Sequence, residues 1–343
     1  MRRCFSFGVS LIFIAVLLIS NFHVADAAKR KGSGQVRFRN AQALSDQVSV
    51  LVFGASQPDA GTHYEGWLGT ADGTAWVDIG RIDLDAKGNS TVNWASPGAE
   101  NLLARYDQFL MTVETDGSPV YWPAEAHIAF RGYIPPEVVP VVRKLAVAGP
   151  DTPLPDRVGL ATGMKAQASG LSTEGRDARS AAQKSNLKTL SRLDEQLLNR
   201  IVGVDNGAYG DLNGNGVVED KSDTYGIRRY AQAIQPLVQP LASNDALPSN
   251  VKDRASRIIT ATNNILEWTG QIRNLAHVLQ PTMTITDVQI IQSDIAWLAK
   301  NVSDGTDLNG DYKVDDAIGE GGARSVYTNA QDLGRIYFRA VNQ

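Results

Sequence analysis

Trp76-Val77-Asp78-Ile79-Gly80-Arg81-Ile82-Asp83-Leu84 alternates between apolar and polar side chains. Successive side chains of a strand point to opposite faces, so this period predicts a strand packed on one side and wet on the other. Asp85-Ala86-Lys87-Gly88 then carries turn chemistry, and Thr91-Val92-Asn93-Trp94 resumes the extended pattern. Working outward, Gln47 to Phe53 and Phe109 to Thr115 are two further strands, the second closed by the turn signal Asp116-Gly117. Strands at this spacing, with no helical period between them, predict an antiparallel β-sandwich over residues 36–134.

Prolines 135, 136, 140, 150, 153 and 155 mark residues 135–157 as a linker, because proline fixes φ and lacks the amide donor. Beyond it the period changes. Leu187, Leu190, Leu193, Leu197 and Ile201 recur at helical spacing. So do Ile258, Thr262, Ile265, Thr269, Ile272, Leu275 and Leu279, and then Val288, Ile291, Ile295 and Leu298. Each stripe needs an apolar partner, which predicts an antiparallel helical bundle over 158–343. Thr284 followed by Asp287 has the form of a helix cap, and Gly203 and Gly226 sit where helices stop or start. Pro236 and Pro240 predict a short or kinked segment after Gly226. The expected class is therefore multidomain, all-β followed by all-α.

The chain has 343 residues, 43% hydrophobic and 20% charged, which suits about two folded domains. A net charge of −4 leaves no electrostatic footprint for nucleic acid. The beginning reads as an export signal: Arg2 and Arg3, the apolar run Gly8 to Ser20, and the cleavage pattern Ala25-Asp26-Ala27, giving a signal peptide over 1–27. The run is short for a bilayer span, so membrane attachment is expected only if the segment stays uncleaved. Cys4 is the single cysteine, and it lies in that signal. Disulfides, thiol catalysis and cysteine–zinc sites are thereby excluded from a processed chain. His63, His127 and His277 show no metal-ligand spacing.

Two acidic segments share one pattern. Asp211-Leu212-Asn213-Gly214-Asn215-Gly216-Val217-Val218-Glu219 and Asp307-Leu308-Asn309-Gly310-Asp311-Tyr312-Lys313-Val314-Asp315 both follow a helical stripe. Calcium takes six to eight oxygens, and side chains at loop positions 1, 3 and 5 with a carbonyl at position 7 wrap such an ion from one side. The expected ligands are Asp211, Asn213, Asn215 and the Val217 carbonyl, and Asp307, Asn309, Asp311 and the Lys313 carbonyl. Position 12 lacks the usual carboxylate, being Ser222 and Ile318, so Asp223 and Glu320 are the nearest groups that would close the sites. Tyr312 replaces the glycine usual at position 6. The simpler alternative for each segment is a polar Asx-turn loop without an ion.

Tyr64-Glu65-Gly66-Trp67-Leu68, Asp78-Ile79-Gly80, Gly88, Tyr106-Asp107 and Thr112 through Pro119, followed by Gly132, resemble the C-terminal, extracytoplasmic domain of anti-sigma-K factors over about residues 45–133. That resemblance implies an all-β sandwich outside the membrane; Thr115 stands where the family often has proline. Only about seven residues precede the apolar run, so the family's sigma-binding segment has no counterpart and no sigma factor is expected as a partner. The two acidic loops resemble EF-hand and dockerin calcium repeats, although they lie 96 residues apart.

These readings converge on an exported, non-enzymatic, calcium-binding envelope protein, periplasmic, extracellular or at the cell surface, which contacts another envelope protein or a surface polymer. A membrane-tethered sensor of anti-sigma type is the alternative. A glycan hydrolase is a third reading, with Glu65 or Glu114 as its carboxylate, but the chain has no nucleophile elbow, metalloprotease helix or phosphate loop. Trp67, Trp76, Trp94, Tyr121 and Trp122 could stack on sugar, although packing on the sheet explains them more simply.

Overall fold

The computed structural model describes residues 31–118, 121–147, 158–279, 283–314 and 318–341. The expected signal peptide over 1–27 lies outside them, as does Asp315.

Seven strands come first: β1 (Ser33–Arg39), β2 (Gln47–Phe53), β3 (Thr62–Gly69), β4 (Trp76–Ile82), β5 (Ser90–Ala95), β6 (Gln108–Thr115) and β7 (Ile128–Tyr133). The period-two reading holds closely at β2, where Val48, Val50 and Val52 point inward between more exposed neighbours. A four-residue helix α1 (Leu102–Arg105) sits between β5 and β6. Seven further helices follow: α2 (Val139–Ala146), α3 (Leu160–Gln183), α4 (Leu187–Val202), α5 (Ile227–Ser243), α6 (Ser249–Val278), α7 (Ile285–Asp304) and α8 (Ala323–Leu333). The stretch expected to be helical throughout ends instead in a strand, β8 (Ile336–Ala340). Its residues Ile-Tyr-Phe-Arg-Ala alternate inward and outward, with Ile336 and Phe338 buried between exposed Tyr337 and Arg339.

All eight strands join one antiparallel sheet in the order β4-β3-β6-β7-β8-β1-β2-β5. β8 lies in the middle, paired with β7 on one side and β1 on the other. The edge strands β4 and β5 approach one another, so the sheet is rolled almost into a barrel. Its inner face carries Val36, Phe38, Tyr64, Phe109, Phe130 and Phe338, and this apolar cluster continues without a break into Val142, Met164, Leu171 and Ile258 of the helices.

The proline-rich stretch is not wholly irregular. Val139–Ala146 forms α2, with Pro140 in its first turn, where a missing amide costs nothing. Residues 148–157 lie outside the described set. α5 runs unbroken for 17 residues through Pro236 and Pro240 rather than stopping short. Both prolines are exposed and one turn apart, so the carbonyls they leave unpaired face water. Other helix ends fall where the sequence places them. The Thr284 hydroxyl accepts from the Asp287 amide, while Gly203 ends α4 and Gly226 precedes α5, both at positive φ.

Candidate functional site

The two acidic loops fold alike. In the first, the Asp211 carboxylate accepts from the amides of Gly214 (2.8 Å), Asn215 (3.1 Å) and Gly216 (2.7 Å). Asn213 Oδ1 accepts from Asn215 N, and Asn215 Oδ1 from Val217 N. In the second, Asp307 accepts from Gly310 (2.7 Å) and Tyr312 (2.8 Å), Asn309 Oδ1 from Asp311 N, and Asp311 Oδ1 from Lys313 N. Positions 1, 3 and 5 thus turn their side-chain oxygens inward over successive backbone amides, in the same register in both loops.

The surroundings repeat as well. Gly203 N donates to Asn199 O at the end of α4, and Gly305 N to Asn301 O at the end of α7. At each neck the following residue bonds across to the loop's exit, Val204 N to Thr224 O and Thr306 N to Glu320 O. The likeness read from 96-residue spacing is therefore a likeness of whole helix–loop–helix units.

The closing carboxylates differ between the two. Glu320 reaches the second loop, where its Oε1 accepts from the Asn309 amide at 3.3 Å. Asp223 does not reach the first. It accepts from the Tyr225 amide and from the Tyr230 hydroxyl at 2.5 Å, at the start of α5. The first loop is met instead by Glu195, a buried residue of α4, which accepts from the amides of Asn213 (3.1 Å) and Glu219 (2.7 Å). Glu219 in turn accepts from the side-chain amides of Asn213 and Asn215. Glu195 and Glu219 were not among the expected ligands. Glu195 lies 18 residues before Asn213, and its only signal is a carboxylate set between the stripe residues Leu193 and Leu197. Burial raises its pKa, the two amides lower it, and nearby Glu219 raises it again.

The loop oxygens are of the type that a hard cation takes. Each carboxylate or amide oxygen that accepts one N–H keeps lone-pair capacity for an ion. The Asn213 and Asn215 oxygens face the turn while their nitrogens bind Glu219, so the neutral donors present the correct atom. Among the described residues, no three His, Cys, Asp or Glu side chains form a ready-made cation cluster, so the donor set depends on the asparagines and carbonyls.

Position 6 distinguishes the loops. Gly216 has φ 88° and Tyr312 has φ 66°. An L-residue in the left-handed region costs about 1–2 kcal/mol, and Tyr312 is 97% exposed, so packing returns little of it. Tyr312→Gly is expected to stabilise the protein by about 0.5–1 kcal/mol, the remainder being lost to the freer unfolded chain. Urea denaturation checks this; a lowered midpoint would contradict it.

A second polar cluster lies on the outer face of the sheet. His63 bridges Asp116 (2.9 Å) and Glu65 (3.3 Å), while His127 meets Glu114 at 3.1 Å. Burial, a hydrogen bond to Asp78 and the charge of Glu114 push Glu65 up to about 8. Beside it Trp67 is buried and donates to Thr112, and Trp76 packs edge-to-face on Trp122. Tyr121 is 84% exposed, whereas Trp94 is half-buried against the core. His277, near the end of α6, lies apart from both clusters.

No family model, curated protein or solved structure matches this chain.

Proposed function

We propose that the protein is an exported, non-enzymatic, calcium-binding component of the cell envelope, in which calcium fixes the two helix–loop–helix units. The single observation supporting this is the shared register of inward-facing oxygens at positions 1, 3 and 5 in two loops 96 residues apart. Asp211, Asn213, Asn215 and the Val217 carbonyl, with Glu195 or Glu219, would hold one ion. Asp307, Asn309, Asp311 and the Lys313 carbonyl, with Glu320, would hold the other. The ion supplies positive charge that the clustered oxygens otherwise lack. The sheet would serve as the sandwich-type outer module, contacting an envelope protein or surface polymer rather than a sigma factor, and the helices as the calcium-set bundle.

Thermal melting in chelator and then in millimolar calcium tests this reading. A ligand present at one hundred times its dissociation constant adds about 2.7 kcal/mol to the folded state, so even weak sites raise the midpoint. The gain should fall away in the double variant Asp211→Ala, Asp307→Ala. An unchanged midpoint in the unaltered protein would overturn the calcium assignment.

A further inference from the structure

A groove of about 470 Å³ opens between α4, the end of α6 and the start of α7. Its walls are mainly aliphatic, including Leu190, Leu198, Leu212, Ala276 and Val288. One end is polar and acidic, formed by Asp194 and Glu195. No lysine, arginine or histidine lines it. Among the described residues, half-buried Asp194 is held by the Gln292 side-chain amide alone, which donates to both of its oxygens at 2.9 and 3.0 Å. Gln292 is fully buried, and its Oε1 has no donor. Glu195 accepts from the Asn213 and Glu219 amides and shares a side-chain hydrogen bond with Glu219. Among the described residues, acceptors are therefore in surplus at this end and the Asp194 carboxyl has no counter-ion.

A carboxyl withdrawn from water without a cation is costly, and folded chains normally pair or neutralise it. A cavity of this size with aliphatic walls and a few convergent polar groups has the form of a small-ligand site. The same acidic end excludes fatty acids and other anions by charge.

We infer that the groove binds an organic ammonium compound, with its apolar body against Leu190, Leu198 and Val288 and its N–H donors on Asp194. The inference does not require calcium, although Leu212 belongs to the first loop and forms part of the wall.

The test is calorimetric titration of the full chain, in chelator, with octylammonium, octanol and octanoate. Octylammonium should bind saturably with one-to-one stoichiometry, at least tenfold more tightly than octanol, with octanoate weakest. Asp194→Asn keeps the shape and one acceptor for the Gln292 amide while removing the charge. It should abolish the preference for the amine and leave octanol binding in place. Val288→Trp, which fills the groove, should weaken both. The proposal is overturned if octanoate binds as well as octylammonium, if Asp194→Asn retains the preference, or if no saturable binding occurs. Because the titration is run without calcium, its failure is separate from any failure of the loop assignment.

Discussion

Phe338→Ala should cost about 3–5 kcal/mol, the range for truncating a buried aromatic side chain. Phe338 is 3% exposed and packs on Phe109 at 4.6 Å and on Phe130 at 6.2 Å between ring centroids. Gly34, opposite it on β1, leaves room for the ring, since a Cβ there would lie 2.1 Å from it. The residue occupies the one strand that joins β7 to β1, so the cavity opens at the centre of the sheet. Its neighbour Tyr337 faces outward at 47% exposure, and Tyr337→Ala should cost under about 1 kcal/mol. Urea denaturation followed by far-ultraviolet circular dichroism gives both numbers. Because one apolar cluster spans sheet and helices, strand and helix signals should be lost in one transition. A loss below about 1 kcal/mol for Phe338→Ala would show that β8 is dispensable.

Arg200→Ala should destabilise by a similar amount. The guanidinium of Arg200 forms two 2.8 Å bonds to Glu174 of α3, with both side chains more than nine-tenths buried. It also donates to Gln167 and, at 2.9 Å, to the Lys221 carbonyl beyond the first acidic loop. Removing the cation leaves the Glu174 carboxylate buried and unpaired, which typically costs about 3–5 kcal/mol. Replacing the pair together, as Arg200→Met with Glu174→Leu, removes that stranded charge and should recover most of the loss. A double variant no more stable than Arg200→Ala would show that the bond to Lys221, rather than the charge pair, dominates. The same bond ties the exit of the first loop to α4 and, through Glu174, to α3, so Arg200→Ala should also weaken any calcium response of that loop.

What the sequence made legible follows from how local each signal is. β2 was readable because its valines repeat every second residue, whereas in β4 the buried Ile79 and Ile82 lie three apart, where the pairing with β3 shifts register. α4, α6 and α7 were readable from stripes of leucine and isoleucine. α3 was not singled out, since its buried face is built largely from Ala161, Ala168, Gly175, Ala178 and Ala182, which contrast weakly with the polar face. Gly175 comes so close to Ala299 of α7 that a Cβ would sit 2.9 Å from it. That helix packs by absence of side chain, which periodicity does not register. β8 was hidden by its brevity and by distance, as only its partners reveal it.

The loops show the same division. Asp211 and Asp307 organise turns within a few residues of themselves, and the sequence pattern located them. Which carboxylate meets the first loop depends on how α4 lies against it. Nearness along the chain pointed to Asp223, whereas the carboxylate hydrogen-bonded to the Asn213 amide is that of Glu195. Glu320 follows its loop closely, and its carboxylate accepts from the Asn309 amide there.

The position of β8 bears on how the protein comes to be made. Contacts at this seam join residues about 300 positions apart, as between Arg335 and Gln35. Until the ribosome has released that far segment, β1 and β7 have no hydrogen-bonding neighbour on their facing sides, and the nascent sheet remains two incomplete pieces with open edges. Loop closure of this span is slow, so the growing polypeptide should stay unfolded and dependent on chaperones through most of its synthesis. A chain whose central strand is made last leaves those edges open for as long as it is being elongated.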